Sequence, residues 1–221
     1  MSEGLPARRC SPYITNVIGR KSFLQAILFT ICIAASAAIF STTAIPAYSN
    51  DEPEYAPIVE RQLDFQEFRL KTSEGQDFDL RRYTSDKKLI IVAFMAGWCK
   101  NSNQNGHVLK SLYDKYKTRG LGVVIVSEYS NHQEITTHIN RIGIDYPLVV
   151  ETSTRNERKK SSHYRYRREV KDKRKWGTPF YVIIERQNIE REGSVLARRV
   201  HTVSGEIVQS EAESFIEQRI K

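Results

Sequence analysis

The stretch LIIVAFMAGWCKNS, residues 89–102, decides the fold of this chain. Its first seven residues are apolar and rich in β-branched side chains, which is typical of a strand buried on both faces. Apolar residues then recur at helical spacing up to about residue 118, at Val108, Leu109, Leu112 and Tyr113. Cys99 is therefore predicted at the junction between a buried strand and the first turn of a helix.

Strand and helix patterns alternate on both sides of this stretch. Upstream, two short strands flank a glycine-containing turn at residues 73–76. Downstream, the patterns predict strands at 121–127, 146–150, 180–185 and 195–203, the last at the sheet edge, and helices at 133–142 and 207–220. This order predicts an α/β fold: a mixed central sheet with helices on both faces and an N-terminal β-hairpin extension. The chain contains neither a G-x-G-x-x-G motif nor a P-loop, so nucleotide binding is not expected.

The net charge of +8 is concentrated in one segment. Residues 155–175 hold eleven Lys or Arg and three Asp or Glu, so the remainder of the chain is neutral overall. We predict a basic insert, residues 152–175, that projects from the sheet and contributes little to the core. Tyr164 and Tyr166 alternate with arginines there, so an anionic membrane surface or an acidic protein is an alternative to a merely solvated segment. Nucleic acid is not an expected partner, because the chain is predicted to be exported.

The N-terminal region is typical of an export segment. Residues 1–22 are basic, and residues 23–40 form an uncharged apolar run of eighteen residues, just long enough to span a bilayer core. A small–any–small sequence at residues 47–49 is a candidate cleavage site, so residues 23–47 are predicted as a signal peptide or a membrane anchor. Residues 48–62, acidic and proline-containing, are predicted as a linker, and residues 63–221 as the folded domain. The predicted location is extracytoplasmic, in the periplasm or cell envelope.

Cys99 is the single cysteine of the predicted folded domain, because Cys10 and Cys32 lie in the export region. Unpaired N–H groups and the positive end of the helix dipole favour a thiolate at the start of a helix. Lys100 adds a nearby cation, and Trp98 supplies a hydrophobic rim. Cys99 is accordingly predicted to be a nucleophile or a trapping thiol; an inert core cysteine is the alternative.

Three segments resemble a known family. Residues 89–102 resemble the active-site strand and loop of thioredoxins, and residues 68–88 (FRLKTSEGQDFDLRRYTSDKK) resemble the N-terminal hairpin of the exported TlpA/ResA-like branch. Residues 176–180 (WGTPF) resemble the cis-proline segment of that family. The resemblance covers residues 63–218. It implies a thioredoxin-like fold, a cis Thr178–Pro179 bond facing Cys99, and a substrate groove lined by Trp98, Lys100, Thr178 and Pro179.

Two departures from the family pattern bear on the reaction. Ser102 stands where the family has its second cysteine, and Ala93 stands where thioredoxin keeps a buried acid. A serine cannot resolve a mixed disulfide, so its hydroxyl is expected at most to hydrogen-bond the Cys99 thiolate. The predicted function is therefore monothiol chemistry, with Cys99 and Ser102 as catalytic residues, on protein thiols or disulfides or a low-molecular-weight thiol. The alternative is a redox-inactive module that holds a protein partner in the groove near the cis-proline.

Other thiol and metal functions fit the sequence less well. The peroxiredoxin motif P-x-x-x-[ST]-x-x-C requires proline and threonine or serine ahead of the cysteine, whereas this chain has Val92 and Ala96 at these positions. Asn103 occupies the position of the second cysteine of a thioredoxin-like copper chaperone. His132 and His138 are six residues apart, on different faces of a helix, and are interpreted as surface histidines. We expect neither a metal site nor a cofactor.

Overall fold

A mixed eight-stranded sheet forms the centre of residues 53–221, the part of the chain that the computed structural model describes. In chain order its strands are β1 (Val59–Gln66), β2 (Arg69–Thr72), β3 (Asp77–Asp79), β4 (Leu89–Met95), β5 (Leu121–Ser127), β6 (Leu148–Val150), β7 (Phe180–Glu185) and β8 (Val195–Val203). They lie side by side in the order β1-β8-β7-β4-β5-β6-β2-β3. Strands β4, β5 and β6 are parallel, and every other neighbouring pair is antiparallel.

Helices cover both faces of this sheet. They are α1 (Leu80–Tyr83), α2 (Lys100–Tyr116), α3 (His132–Ile142), α4 (Ser162–Glu169) and α5 (Gln209–Arg219). Alternate residues of β4 enter two separate apolar clusters, one with α2, α3 and α5 and the other with β1, α1 and α4. This alternation is the two-residue period of a strand that is buried on both faces. The predicted mixed sheet, the hairpin β2–β3 and the two helical layers are confirmed.

The export segment predicted at residues 1–47 lies outside the described residues, as do Cys10 and Cys32. Within residues 53–221, each helix is too short or too polar to cross a membrane.

Strand β1 shows that the predicted linker extends too far along the chain. It begins at Val59, inside residues 48–62, and pairs with β8 along its length. Leu63 and Phe65 of β1 are buried. The sequence pattern does not indicate this strand, because only two of its side chains face the core and the prolines and acidic residues before it are typical of a linker. Strand β8 is consequently an interior strand, and the prediction that it lies at the sheet edge is wrong.

The basic insert corrects a second prediction, because it packs into the core. A 3₁₀ turn (Arg155–Lys160) leads into α4, whose residues His163, Tyr166 and Arg167 are buried. The Tyr166 ring lies 5.0 Å from Phe65 and 6.0 Å from Phe94, between ring centroids. Helical spacing of three and four residues places these side chains on one inward face. The sequence pattern does not indicate this buried face, because arginines occupy the neighbouring positions of the helix.

Candidate active site

Cys99 is the N-cap residue of α2 and is half-buried where β4 meets that helix. Its backbone N–H donates to the Ala96 carbonyl at 2.9 Å, and its side chain makes no capping hydrogen bond. The thiol donates instead to the Thr178 carbonyl, at 3.4 Å from Sγ to oxygen. The sulfur therefore lies at the positive end of a seventeen-residue helix, where a negative charge is stabilised. This position suits a nucleophilic thiol.

The loop opposite the thiol has the geometry that the family resemblance implies. The Thr178–Pro179 bond is cis, and the Thr178 side chain is buried, with a hydroxyl that has no hydrogen-bond partner in the described part of the chain. Gly177 precedes it at φ = 68°, and a Cβ there would lie 1.8 Å from the Arg167 guanidinium carbon. Glycine is required at this position because it adopts a positive φ without strain and has no Cβ to collide with Arg167. The basic insert thus reaches the active-site loop through Arg167.

Ser102 is placed differently from the prediction. Its side chain is fully buried, and its hydroxyl accepts a hydrogen bond from the Ala96 backbone N–H at 3.3 Å. Among the described residues the Ser102 hydroxyl forms no hydrogen bond with the Cys99 sulfur, so the expected contact is not formed in this structure, and a catalytic role of Ser102 stays a prediction. The reason is that the third residue of α2 points back under the loop. Ser102 here stabilises the turn that carries Cys99.

Trp98 and Lys100 flank the thiol on the outer side. The Trp98 indole donates from Nε1 to the Tyr129 carbonyl at 3.0 Å, and its ring meets Trp176 edge-on at 5.3 Å. Exposed Lys100 lines a cavity of about 310 Å³ together with Trp98, Asn103, Gln104, His107 and Arg141. Trp98 therefore forms the hydrophobic rim expected beside Cys99. Substrate binding by these residues stays a prediction.

Asn103 and His138 form a support for the Cys99 turn that the sequence did not reveal. The Asn103 amide nitrogen donates to the carbonyls of Gly97 and Cys99, each at 2.9 Å. Its oxygen must then accept from His138 Nδ1, at 2.9 Å, which assigns the proton of the imidazole to Nδ1. Gly97 also lies against α3, where a Cβ would be 2.5 Å from the Glu134 carbonyl oxygen.

His138 is buried, so its interpretation as a surface histidine is wrong, whereas His132 is exposed. Burial, together with a smaller effect of the nearby Arg141, lowers the pKa of His138 to about 4. The imidazole is therefore neutral at pH 7. The signal in the sequence is its spacing, three residues after Ile135 and four before Ile142, which are both buried.

His138 is expected to make the fold sensitive to acid. Its pKa of about 4 in the folded chain lies below the ordinary 6.5, so between these values the unfolded chain binds a proton that the folded chain does not. Stability is expected to fall by about 3 kcal/mol as the pH drops from 6.5 to 4. In His138→Gln, whose amide can still donate to Asn103, the decrease should be smaller by that amount. Urea unfolding at a series of pH values measures this.

His132→Gln is the matched control, because His132 is exposed on the same helix. It should keep the pH dependence of the wild type. Parallel pH profiles for wild type and His138→Gln would contradict the assignment.

A second buried network joins the insert to the cis-proline loop. His163 Nε2 lies 3.2 Å from the Gly177 carbonyl and must donate to it, so Nδ1 accepts from the Tyr129 hydroxyl at 2.9 Å. Complete burial lowers the pKa of His163 well below its usual value. Beside it, burial and the neighbouring carboxyl of Glu151 raise the pKa of Glu128, which accepts from the Thr152 hydroxyl. The insert thereby holds the loop opposite Cys99 in place.

Residues 53–221 contain no group of three or more His, Cys, Asp or Glu side chains placed to hold a metal ion.

Comparison with known proteins adds sequence and structural relatives. The AhpC/TSA family matches residues 62–190. The curated protein "Probable phospholipid hydroperoxide glutathione peroxidase" of Citrus sinensis is 24% identical over 164 residues, which cover 68% of this chain and 93% of the relative.

Two solved structures share the fold. The thiol:disulfide interchange protein of the thioredoxin family from Chlorobium tepidum has a TM-score of 0.52 at 17% identity, covering 73% of this chain and 98% of that one. The thioredoxin domain of a thiol-disulfide oxidoreductase from Bacteroides vulgatus has a TM-score of 0.50 at 13% identity, covering 73% and 98%. The predicted thioredoxin-like fold is confirmed.

Proposed function

The chain belongs to the AhpC/TSA family, which has the thioredoxin-like fold, and we propose that it is a thiol-disulfide oxidoreductase acting through the single thiol of Cys99. One observation carries this proposal. The Cys99 sulfur lies at the N-terminus of α2 and 3.4 Å from the carbonyl of Thr178, which precedes a cis-proline. A substrate sulfur that approaches Cys99 would meet Trp98 and Lys100 on one side and the Thr178–Pro179 loop on the other.

The proposed reaction is a thiol-disulfide exchange. The Cys99 thiolate attacks one sulfur of a disulfide, the S–S bond breaks, and a new S–S bond joins Cys99 to the substrate. The other sulfur leaves as a thiolate and takes up a proton. A thiol from outside the domain must then attack the mixed disulfide, because Ser102 cannot do so. In this proposal Ser102 assists by holding the turn, through its hydrogen bond with the Ala96 N–H.

The finer assignment is part of the same proposal. We place the protein in the TlpA/ResA-like branch, outside the cytoplasm, with residues 23–40 as its anchor where the segment is not cleaved. The residue patterns WGTPF at 176–180 and FRLKT at 68–72 support this branch.

Hydroperoxide reduction is a second candidate, favoured by the name of the Citrus sinensis relative. The Cys99 thiolate would attack a peroxide oxygen, the O–O bond would break, and an alcohol would leave with a proton while Cys99 becomes a sulfenic acid. External thiol would then reduce the sulfenic acid. Val92 and Ala96 stand where peroxiredoxins have proline and threonine or serine, so disulfide exchange remains the first proposal.

Formation of a mixed disulfide at Cys99 tests the proposal directly. The full-length chain is incubated with oxidised glutathione, digested with trypsin and analysed by mass spectrometry. Cleavage after Lys88 and Lys100 yields a peptide of residues 89–100 whose single thiol is that of Cys99, which separates it from Cys10 and Cys32. We expect this peptide to carry one glutathione, which dithiothreitol removes.

The control is Cys99→Ser, whose peptide should stay unmodified. A parallel sample receives an alkyl hydroperoxide, and rapid oxidation of Cys99 there without a reaction with glutathione disulfide would favour the peroxidase candidate. If Cys99 stays unmodified in both samples while the unfolded chain reacts, the binding module without redox chemistry is correct.

A further inference from the structure

A chain of cation–aromatic contacts leads outward from the active site. Trp98 directly precedes Cys99, and Trp176 lies two residues before Thr178, whose carbonyl contacts the sulfur. The two indole rings meet edge-on at 5.3 Å. The Arg158 guanidinium lies 5.5 Å from the centre of the Trp176 ring, and the Lys175 ammonium lies 5.8 Å from it. Both tryptophans are partly exposed, so this surface borders the entrance to the thiol.

Little negative charge balances these cations. Arg155, stacked on Trp98 at 4.9 Å, is paired with Glu134 at 2.6 Å. Within residues 53–221, however, Arg158 and Lys175 have no carboxylate within ion-pair distance. Among the described residues, the Arg158 guanidinium donates to the Lys175 backbone carbonyl, at 2.6 Å. The entrance to the active site therefore presents positive charge that a ligand can neutralise.

A cationic cavity continues this surface on the far side of Arg158. Its volume is about 200 Å³, and it is lined by Arg158, Tyr164, Arg167, Arg168, Asp172, Lys173 and Arg174. Asp172, its single acidic residue, is already engaged by Arg167 at 2.9 Å and Arg174 at 2.7 Å. Arg158, Arg168 and Lys173 have no ion-pair partner among the described residues. The cavity therefore has the size and charge for a carboxylate.

We propose that Trp98, Trp176, Arg158, Lys175 and the adjoining cavity form a docking surface for an acidic peptide segment whose cysteine or disulfide reacts at Cys99. This inference rests on the proposed function and specifies its substrate class. A bilayer or a nucleic acid would also meet the positive charge, but neither supplies a sulfur to a thiol at the centre of the surface. Partly exposed indoles favour a peptide, which offers both apolar and anionic side chains.

Charge selection among matched substrates tests the inference. Three short peptides carry one cysteine, capped as a disulfide with 2-mercaptoethanol and flanked by glutamates, glutamines or lysines. The rate at which each substrate peptide modifies Cys99 is read from the tryptic fragment 89–100. It is divided by the rate at which the same substrate peptide reacts with free 2-mercaptoethanol, which corrects for the substrate's intrinsic reactivity. At low ionic strength the glutamate peptide should react about tenfold faster than the lysine peptide, and at about 0.5 M salt the ratio should fall below about threefold.

Two double variants with the same loss of charge locate the effect. Arg158→Gln/Lys175→Gln should reduce the low-salt ratio of the glutamate-peptide rate to the lysine-peptide rate below about threefold. Arg61→Gln/Arg191→Gln, at exposed positions on β1 and in the loop after β7, should retain the preference. Arg158 also holds the backbone at Lys175, so replacing it could alter the loop as well as the charge. Lys175→Gln alone removes charge without losing this hydrogen bond, and it should halve the logarithm of the ratio of glutamate-peptide rate to lysine-peptide rate.

The outcomes distinguish this inference from the proposed function. Equal rates for the three peptides at Cys99 would overturn the inference and leave thiol-disulfide exchange intact. If no peptide reacts at Cys99, the proposed function itself is wrong. Equal rates together with binding to vesicles of phosphatidylcholine and phosphatidylserine, lost in Arg158→Gln/Lys175→Gln, would assign the surface to lipid and overturn the inference as well.

Discussion

The Ser102→Cys variant is expected to reduce disulfides repeatedly, whereas the wild type should stop at the mixed disulfide until an external thiol releases it. In the wild type the mixed disulfide at Cys99 has no second thiol in the described domain to attack it, so release depends on external thiol. Residues 99 and 102 lie at the start of α2, three apart and on neighbouring faces. We expect a gain of at least about tenfold in insulin reduction with a chemical reductant, because release becomes intramolecular.

Ser102→Ala is the matched control, since it also removes the hydroxyl that accepts from the Ala96 N–H but adds no sulfur. Loss of that hydrogen bond should cost about 1 kcal/mol of stability in either variant. Ser102→Ala should stay as inactive as the wild type, and Cys99→Ala should abolish turnover in the Ser102→Cys background. A wild type that already turns over as fast as Ser102→Cys would show that another group resolves the mixed disulfide.

The sequence predicts the main parts of the fold because they depend on local patterns. Strand β4 is a continuous apolar run, and α2 follows it with an apolar stripe, so both are recognisable without tertiary information. The position of Cys99 between them follows directly. The facing Thr178–Pro179 loop is predicted only through the family resemblance, because it lies 79 residues along the chain from Cys99.

The polar supports of the site are not predictable in this way. Asn103, His138 and His163 are buried, and each forms a hydrogen bond with a residue from a different element or loop. Composition assigns such residues to the surface, because a polar side chain is usually exposed unless it has a partner. The prediction that the basic insert contributes little to the core is wrong for the same reason. Its inward-facing residues are few, and the long-range contacts that bury them leave no local signal.

Replacing Tyr166 by alanine is expected to lower the free energy of unfolding by about 3–5 kcal/mol. The side chain is 1% exposed, and its ring packs against Phe65 and Phe94. The large effect follows because the cavity would open between β1, β4 and α4, which cannot collapse without moving the sheet. Urea denaturation, with the wild type at the same pH and salt, measures the change.

Two further variants separate the parts of this contribution. Tyr166→Phe keeps the ring but leaves the Gln66 backbone N–H, now 3.0 Å from the hydroxyl, without its acceptor, and should cost about 1–2 kcal/mol. Tyr164→Ala, on the outer side of α4 and partly exposed, should cost less than about 1 kcal/mol. If Tyr166→Ala costs no more than Tyr164→Ala, the insert is peripheral. If the costs differ as expected, the basic segment is an integral part of the domain, and its cations are held beside Cys99 by a helix anchored in the core.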